Sequence, residues 1–474
     1  MSSLKFGTSG LRGLVTDLEG GPSYAYASAF FRTIRADGGE GTVVIGRDLR
    51  ASSLGISATV AEAAAAAGLT VIDAGPLPTP ALALEAMRQG ACAVMVTGSH
   101  IPDDRNGLKF YRAAGEITKT DEAAIIAALV LEEQPELSGQ TASTMLEPEA
   151  LARYRDRYRA FFPADILSGL HLAVYQQSSV ARDLLSELLV ALGARVSTIG
   201  RSETFVPIDT EAHRPEDTAF IHETMASGTF DALVTTDGDA DRPLMADEAG
   251  RILRGDVLGL LTARYLGIDT VVVPVTAGSA LERAGFRQVM RTKVGSPFVI
   301  AGMEQARRDG ADSVAGFEAN GGFLLGSDVS LAGQVLPALP TRDAMLPILA
   351  TLAAARAHDV RLSALVSTID AGETASDRIP DIPAERSGAF LARLSEAAYL
   401  STFLRTVGAP QAVDQQDGVR IELDQGRTIH FRASGNAPEL RCYTEARSAV
   451  DAEDLLRWGL AAAAAEVQDT GLRP

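Results

Sequence analysis

A buried strand, a helix stopped by a glycine and a second strand recur along the chain, and this unit limits the fold more than any other feature of the sequence. The first copy is Gly41-Thr42-Val43-Val44-Ile45-Gly46, a helical stretch over 52–67, Gly68, then Leu69-Thr70-Val71-Ile72. The second is Leu172-Ala173-Val174-Tyr175, a helical 180–192, Gly193 and Ala194-Arg195-Val196-Ser197. The third runs Thr270-Val271-Val272-Val273-Pro274, a short helix near 278–284, Gly285 and Phe286-Arg287-Gln288-Val289. Strands that alternate with helices pair in parallel through right-handed crossovers, so three related α/β units with mixed, mainly parallel sheets are expected.

Each unit also holds a later apolar strand that runs into a polar loop. These are 93–96 before Thr97-Gly98-Ser99-His100, 232–234 before Thr235-Thr236-Asp237, and 313–315 before Gly316-Phe317-Glu318. In open α/β sheets ligands bind beyond the carboxyl ends of strands, so the three loops can converge on one cleft. After about residue 370 the pattern changes. Ile379-Pro380-Asp381-Ile382-Pro383 reads as a linker, followed by a helix and a hairpin turning at Asp424-Gln425-Gly426, which makes a C-terminal α+β domain. The expected domains are 1–155, 156–258, 259–372 and 373–474, and 474 residues are enough for four cores.

Composition narrows the function. With 61 acidic against 43 basic residues the formal charge is −18, which argues against a nucleic-acid partner, because such proteins carry surplus Lys and Arg for phosphates. Cys92 and Cys442 form no framework and no C-x-x-C pattern, as in a reducing compartment. The first residues lack a basic-then-apolar signal and no run reaches about 18 apolar residues, so a cytoplasmic protein without a membrane partner is expected. Whether it is a monomer or a homodimer is open.

The loops carry the chemistry. Ser99 in Thr97-Gly98-Ser99-His100-Ile101-Pro102 sits at a tight turn; it is a nucleophile if a base is near, with Gly98 leaving room for a substrate, or otherwise a turn serine bonded to its own backbone. A Ser-His hydrolase is disfavoured, since no G-x-S-x-G elbow is present and His100 is adjacent, where side chains of an extended chain diverge. Asp237, Asp239 and Asp241 place three carboxylates at alternate positions, which suits a hard divalent cation. An EF-hand would use them with Glu248, but Arg242 stands where that loop needs glycine. Glu318 and Asn320 between glycines can hydrogen-bond adjacent sugar hydroxyls or form a structural turn. Arg432, Ser434, Gly435, Asn436 and Arg441 offer donors for a phosphate dianion, with surface ion pairs as the rival reading.

In content and order these loops resemble the α-D-phosphohexomutase superfamily, the phosphoglucomutases and phosphomannomutases, over essentially the whole chain. Lys5-Phe6-Gly7-Thr8-Ser9-Gly10-Leu11-Arg12-Gly13 is similar to the family's N-terminal substrate loop, 97–102 to its phosphoserine loop, 237–242 to its metal loop, 318–321 to its sugar loop and 432–438 to its phosphate loop. The resemblance implies four domains around a central cleft and a phosphoryl group on Ser99. It also implies Mg²⁺ held by Ser99, Asp237, Asp239 and Asp241, and a hexose 1,6-bisphosphate intermediate that also serves as activator. Arg12, Lys109 and His100 would act on the reacting phosphate and its protons. Ser9, Arg242, Lys293, Glu318, Asn320, Arg432, Ser434, Gly435, Asn436 and Arg441 would bind the phosphosugar. The implied activity is interconversion of the 1- and 6-phosphates of mannose or glucose, with an acetylglucosamine- or glucosamine-phosphate mutase, or a non-catalytic phosphosugar-binding protein, as alternatives. The sugar loop departs from the Glu-x-Ser-Gly-His of many bacterial relatives at two places, Asn320 standing for the serine and Gly322 for the histidine, and its Glu-Ala-Asn-Gly is similar to the acetylglucosamine-phosphate mutase branch.

Overall fold

The three recurring glycines end their helical segments in the left-handed region, at φ 75° for Gly68, 93° for Gly193 and 86° for Gly285, where a Cβ is costly. They follow the helices Ser53–Ala66 and Arg182–Ala191 and the 3₁₀ turn Ser279–Arg283. In the first copy, Thr42–Arg47 pairs in parallel with Thr70–Pro76 on one side and Cys92–Val96 on the other. In the second, His171–Gln177 lies parallel between Arg195–Arg201 and Ala232–Thr236. In the third, residues 270–272 pair in parallel with 314–316.

Antiparallel returns, which the repeat alone does not announce, complete these sheets. Arg105–Arg112 folds back on Cys92–Val96 and carries Gly10–Leu14 and Lys5–Gly7 outside it. Pro243–Ala246 folds back on Ala232–Thr236, and Phe323–Leu325 on Val314–Phe317 with Leu339–Asp343 beyond. A loop leaving the carboxyl end of each central strand is therefore fixed at both ends by ladder hydrogen bonds. Those loops are the three singled out above.

The computed structural model describes residues 2–7, 10–39, 41–130, 144–434 and 438–468. The chain divides into a first unit of 1–272 with 295–368 and a second of 273–294 with 369–474. In the first unit the helix Gly21–Ala36 packs Phe30 on Phe31 and Phe110, with ring centroids 5.4 and 4.8 Å apart. Burying each ring stabilises the fold by roughly 2–3 kcal/mol. The helix Met345–Ala357 is apolar all round because nearly every side chain is buried.

The second unit contains one antiparallel sheet in the order Glu373–Ile379, Leu440–Ala446, Thr428–Ala433, Val419–Leu423, Pro410–Asp414. The helices Ala384–Leu394, Ala397–Phe403 and Ala449–Gln468 pack on it around Phe390 and Phe431. The linker expected at 379–383 is corrected here. Ile379 ends a sheet strand, Ile382 N–H donates to the Pro438 carbonyl at 2.8 Å, and both isoleucines are buried in this core. Residues 273–294 belong to the same unit: the Ser279 N–H and hydroxyl both donate to the Glu445 carboxylate, and Val294 N–H donates to Asp417 Oδ2 at 2.9 Å. Among the described residues no helix is long and apolar enough to cross a membrane.

His430 is buried on the other face of this sheet, stacked on Tyr443, with Nε2 donating to the Asp417 carbonyl at 2.7 Å and Nδ1 without a partner. Burial pushes its imidazole down from 6.5 to about 4. The unfolded chain therefore binds a proton that the folded chain refuses between those values, so stability falls as pH drops from 6.5 to 4. The loss amounts to roughly 3 kcal/mol, at about 1.4 kcal/mol per pH unit. Urea melts at a series of pH values should show that slope in wild type and its absence in His430→Asn; equal slopes in both would contradict the assignment.

Candidate active site

The serine loop begins where strand Cys92–Val96 ends and is moulded by two buried residues from the end of the neighbouring parallel strand, Asp48 and Arg50. Asp48 Oδ2 accepts from Thr97 Oγ1 at 2.7 Å and from Arg50 Nε at 3.1 Å, while Oδ1 accepts from Ser53 and the Arg50 N–H. The Arg50 guanidinium then donates to four loop carbonyls: Pro102 at 2.8 Å, Arg105 at 3.0 Å, Ser99 at 3.1 Å and Ile101 at 2.6 Å. Its other face stacks on Phe205, 3.7 Å from the ring centre. Burial raises the Asp48 carboxyl, and the Arg50 charge opposes that rise. The room beside Gly98, expected to admit a substrate, holds this guanidinium instead: a Cβ there would lie 2.6 Å from Arg50 Cζ.

So held, Ser99 takes φ 54°, a left-handed conformation that costs a non-glycine residue of order 1–3 kcal/mol. This overturns the expectation that His100 points away. Because the chain is not extended at Ser99, His100 Nδ1 comes within 3.2 Å of Ser99 Oγ. Ser99 Oγ itself donates to Asp237 Oδ2 at 2.6 Å. His100 Nδ1 accepts from Arg242 Nη1 at 3.0 Å, and burial together with Arg242 and Arg12 holds the ring well below its ordinary range, hence neutral.

Asp237, Asp239 and Asp241 lie in the hairpin between Ala232–Thr236 and Pro243–Ala246, all fully buried, each offering an oxygen within 4.8 Å of the others. Lys109, from strand Arg105–Arg112, is not a surface lysine. It is buried and bridges Asp239 Oδ2 at 2.6 Å and Asp241 Oδ2 at 2.5 Å. Asp239 Oδ1 and Asp241 Oδ1 accept no hydrogen bond; the guanidinium facing Asp241 Oδ1 is Arg242 Nε at 3.6 Å. Burial and the two neighbouring carboxylates push Asp237 well above the carboxylate range; burial works the same way on Asp241, but Arg342, Lys109 and Arg242 hold it below. Buried, unpartnered carboxylate oxygens converging on one point are a donor set for a hard cation, and these residues fit a metal ion. The calcium-loop alternative loses Glu248, whose carboxylate is tied to the Ser363 N–H and hydroxyl.

Positive charge stands around the cluster. Arg12 Nη2 and Arg242 Nε are buried without hydrogen-bond partners, donors suited to anionic oxygens. Burial and then Arg242 lower the Arg12 guanidinium to about 10. Glu318 and Asn320 are buried in the hairpin after Val314–Phe317. Asn320 spends its Oδ1 on the Gly322 N–H at 3.0 Å and its carbonyl on Thr210, so its side-chain oxygen shapes the loop. Arg342, which sequence reasoning missed, donates to Asp241 Oδ2 at 2.8 Å and to Glu318 Oε2 at 3.3 Å. Within the first unit the structure thus brings together Arg12, Ser99, His100, Lys109, the three aspartates, Arg242 and Glu318.

In the second unit Arg432 faces Arg441 across the strand pair, and Arg441 faces Arg378 on its other side, a row of three guanidiniums. Arg432 Nε donates to Asp417 at 2.8 Å and Arg441 to Glu439 at 2.8 Å, so both hold carboxylates as the rival reading supposed. Ser434 N–H closes the loop on the Glu439 carbonyl, and Lys293 is exposed one residue before Val294, which meets Arg432 at Asp417. Ser9, Gly435 and Asn436 lie outside the described residues.

Residues 3–136 match the family model for phosphoglucomutase/phosphomannomutase α/β/α domain I, 254–371 that for domain III, and 391–457 that for the C-terminal domain. The chain belongs to the phosphoglucomutase/phosphomannomutase family. A phosphomannomutase of Sinorhizobium fredii is 47% identical over 469 residues, covering 96% of this chain and 98% of that protein. One of Salmonella muenchen is 43% identical over 457 residues, 95% and 94% of the two chains. The crystal structure of a family protein from Burkholderia thailandensis shares the fold, with a TM-score of 0.78 at 20% identity over 98% of each chain. Family membership makes this chain a mutase, an intramolecular phosphotransferase with a phosphosugar substrate.

The Asp48–Arg50 pair was legible in principle, since Gly46-Arg47-Asp48-Leu49-Arg50 follows a buried strand as the other loops do. Arg50→Lys keeps one charge but cannot reach four carbonyls in the guanidinium plane. Mutase turnover is expected to fall about 100-fold with KM little changed, because a misplaced nucleophile costs rate rather than affinity. Steady-state kinetics on the folded variant test this, and wild-type turnover in Arg50→Lys would refute it.

Proposed function

We propose that the protein interconverts the 1- and 6-phosphates of mannose, with glucose phosphates as a second substrate pair, through a phosphoryl group carried on Ser99. The observation that carries this reading is the placement of Ser99 Oγ, 2.6 Å from a buried carboxylate of the aspartate cluster and 3.2 Å from a neutral imidazole nitrogen. The two relatives at 47% and 43% identity are phosphomannomutases, which supports mannose as the sugar.

The transferred phosphoryl group moves from Ser99 Oγ to the free hydroxyl of the bound monophosphate. The P–O bond to serine breaks as the P–O bond to the sugar forms, and the hydroxyl gives up its proton. His100 Nδ1 meets Ser99 Oγ with an unprotonated lone pair, so it is placed to accept the serine proton when a phosphoryl group returns to that oxygen; the Lys109 ammonium is the candidate that supplies a proton when Oγ leaves. The product is a hexose 1,6-bisphosphate, which also activates unphosphorylated enzyme by returning a phosphoryl group to Ser99. Arg12 and Arg242 turn unpartnered donors toward the oxygens that gather charge in transfer. A divalent cation, Mg²⁺ by the all-oxygen chemistry of the set, would be held by Asp237, Asp239, Asp241 and Ser99 and would neutralise charge on the transferring phosphoryl oxygens. Glu318 and Asn320 are assigned to the sugar hydroxyls, and Arg432, Ser434, Arg441 and Lys293, with Ser9, Gly435 and Asn436, to the sugar and the phosphate that stays.

Phosphorus NMR of the protein with Mg²⁺, a trace of hexose 1,6-bisphosphate and each hexose 1-phosphate in turn tests the reading. Mannose 1-phosphate should convert to the 6-phosphate fastest and Ser99→Ala should convert none. Faster turnover of glucosamine or acetylglucosamine phosphates, or an active Ser99→Ala, would overturn it.

A further inference from the structure

Gly322 is not a glycine for conformational reasons, because its φ lies outside the left-handed range. Space explains it. A Cβ on Gly322 would lie 2.7, 2.8 and 3.0 Å from Cδ, Cγ and Cβ of Arg342, closer than real Cβ atoms approach. Those are the stem atoms of a side chain only 2% exposed, so they cannot swing into solvent. Arg342 occupies the volume over the sugar loop at the position where this sequence departs from histidine.

The backbone that carries Arg342 is pinned on both sides. Thr341 Oγ1 donates to Glu116 at 2.9 Å, and Asp343 accepts the Met345 N–H at 2.7 Å and the hydroxyls of Tyr154 and Tyr158. From that fixed stem Nε and Nη2 both reach Asp241 Oδ2, at 3.1 and 2.8 Å, and Nη1 reaches Glu318 Oε2 at 3.3 Å. One rigid fork therefore joins a carboxylate of the metal loop to the carboxylate of the sugar loop. Asp241 has Lys109 as a further cation, whereas among the described residues the ion pair within 4 Å of Glu318 comes from Arg342, with Arg242 farther off. Burial lowers the Arg342 guanidinium, but Asp241, Glu116 and Glu318 together hold it well above its ordinary value, so it stays charged.

We propose that Arg342 is the positioning residue that sets Glu318 against the sugar and locks the sugar loop to Asp241, and that Gly322 is the opening that admits its stem. This rests on the assignment of Glu318 to the sugar hydroxyls. Removing the guanidinium leaves Glu318 buried without its ion pair, and the carboxylate then turns away from the substrate.

Two cycles of variants test it. In the first, kcat/KM for mannose 1-phosphate is measured for Arg342→Met, Glu318→Gln and the pair. Each single change should cost roughly tenfold or more, mainly in KM, while Glu318→Gln in the Arg342→Met background should add less than about threefold. Additive losses would show that Arg342 does not act through Glu318 and would overturn the proposal. Arg342→Lys, which keeps stem and charge, should recover part of the loss, and it carries the same cycle should Arg342→Met not fold. In the second cycle, Gly322→Ala should lower the melting temperature by roughly 3 °C or more and raise KM, but do neither in Arg342→Ala. An unchanged Gly322→Ala, or an equal effect in both backgrounds, would refute the steric pairing. Wild-type protein that converts no hexose phosphate would instead sink the assigned function, and the melting cycle would still report on the pairing.

Discussion

Three carboxylates packed into five residues and buried from water are the constraint around which the first unit is organised. Each would cost several kcal/mol if left unbalanced, so the chain must bring compensating charge from elsewhere. It does so from three sheets at once. Lys109 comes from the first, Arg242 from the hairpin of the second, and Arg342 from the last strand of the third. Lys109 ties the strand that follows the serine loop to the metal loop, Arg342 ties the metal loop to the sugar loop, and Ser99 itself bonds to Asp237, so catalytic geometry and cohesion of the unit have one origin. Two carboxylate oxygens and two guanidinium nitrogens are left over, and these unpartnered atoms mark where a cation and an anionic group complete the balance.

The serine loop shows how a strained nucleophile is maintained. A left-handed Ser99 is unfavourable by itself, and it persists because five hydrogen bonds from one buried guanidinium, four to loop carbonyls and one to Asp48, overdetermine the backbone around it. The strain also has a use, since it turns Ser99 and His100 to the same side. Asp48 and Arg50 touch no reacting atom in this arrangement; they fix where the reacting atom is.

How much of this was legible depends on the range of the interaction. The helix-ending glycines, the strand ends and the metal loop were readable because their residues are neighbours in sequence, and the physics that selects them is local. The hairpin at Asp424–Gly426 was readable for the same reason. What sequence reasoning missed acts at a distance. Arg50 reaches loop carbonyls about fifty positions away and is marked only by its place after a buried strand, and Arg342 reaches an aspartate in another sheet with no mark from its own neighbours. Gly322 carried a trace of the second, as a glycine whose small size had no local reason. The prolines at 380 and 383 misled in the opposite sense, disguising two core isoleucines as a linker, because proline content was weighed above the apolar positions between them.

The account stands or falls on Ser99 as the carrier of the phosphoryl group. Incubating the protein with hexose 1,6-bisphosphate and Mg²⁺, then mapping phosphopeptides by mass spectrometry, tests this most directly. A single phosphoryl group on Ser99, removed when excess hexose monophosphate is added, is the result expected. A phosphoryl group on another residue that exchanges with substrate, or turnover with Ser99 unmodified throughout, would contradict it.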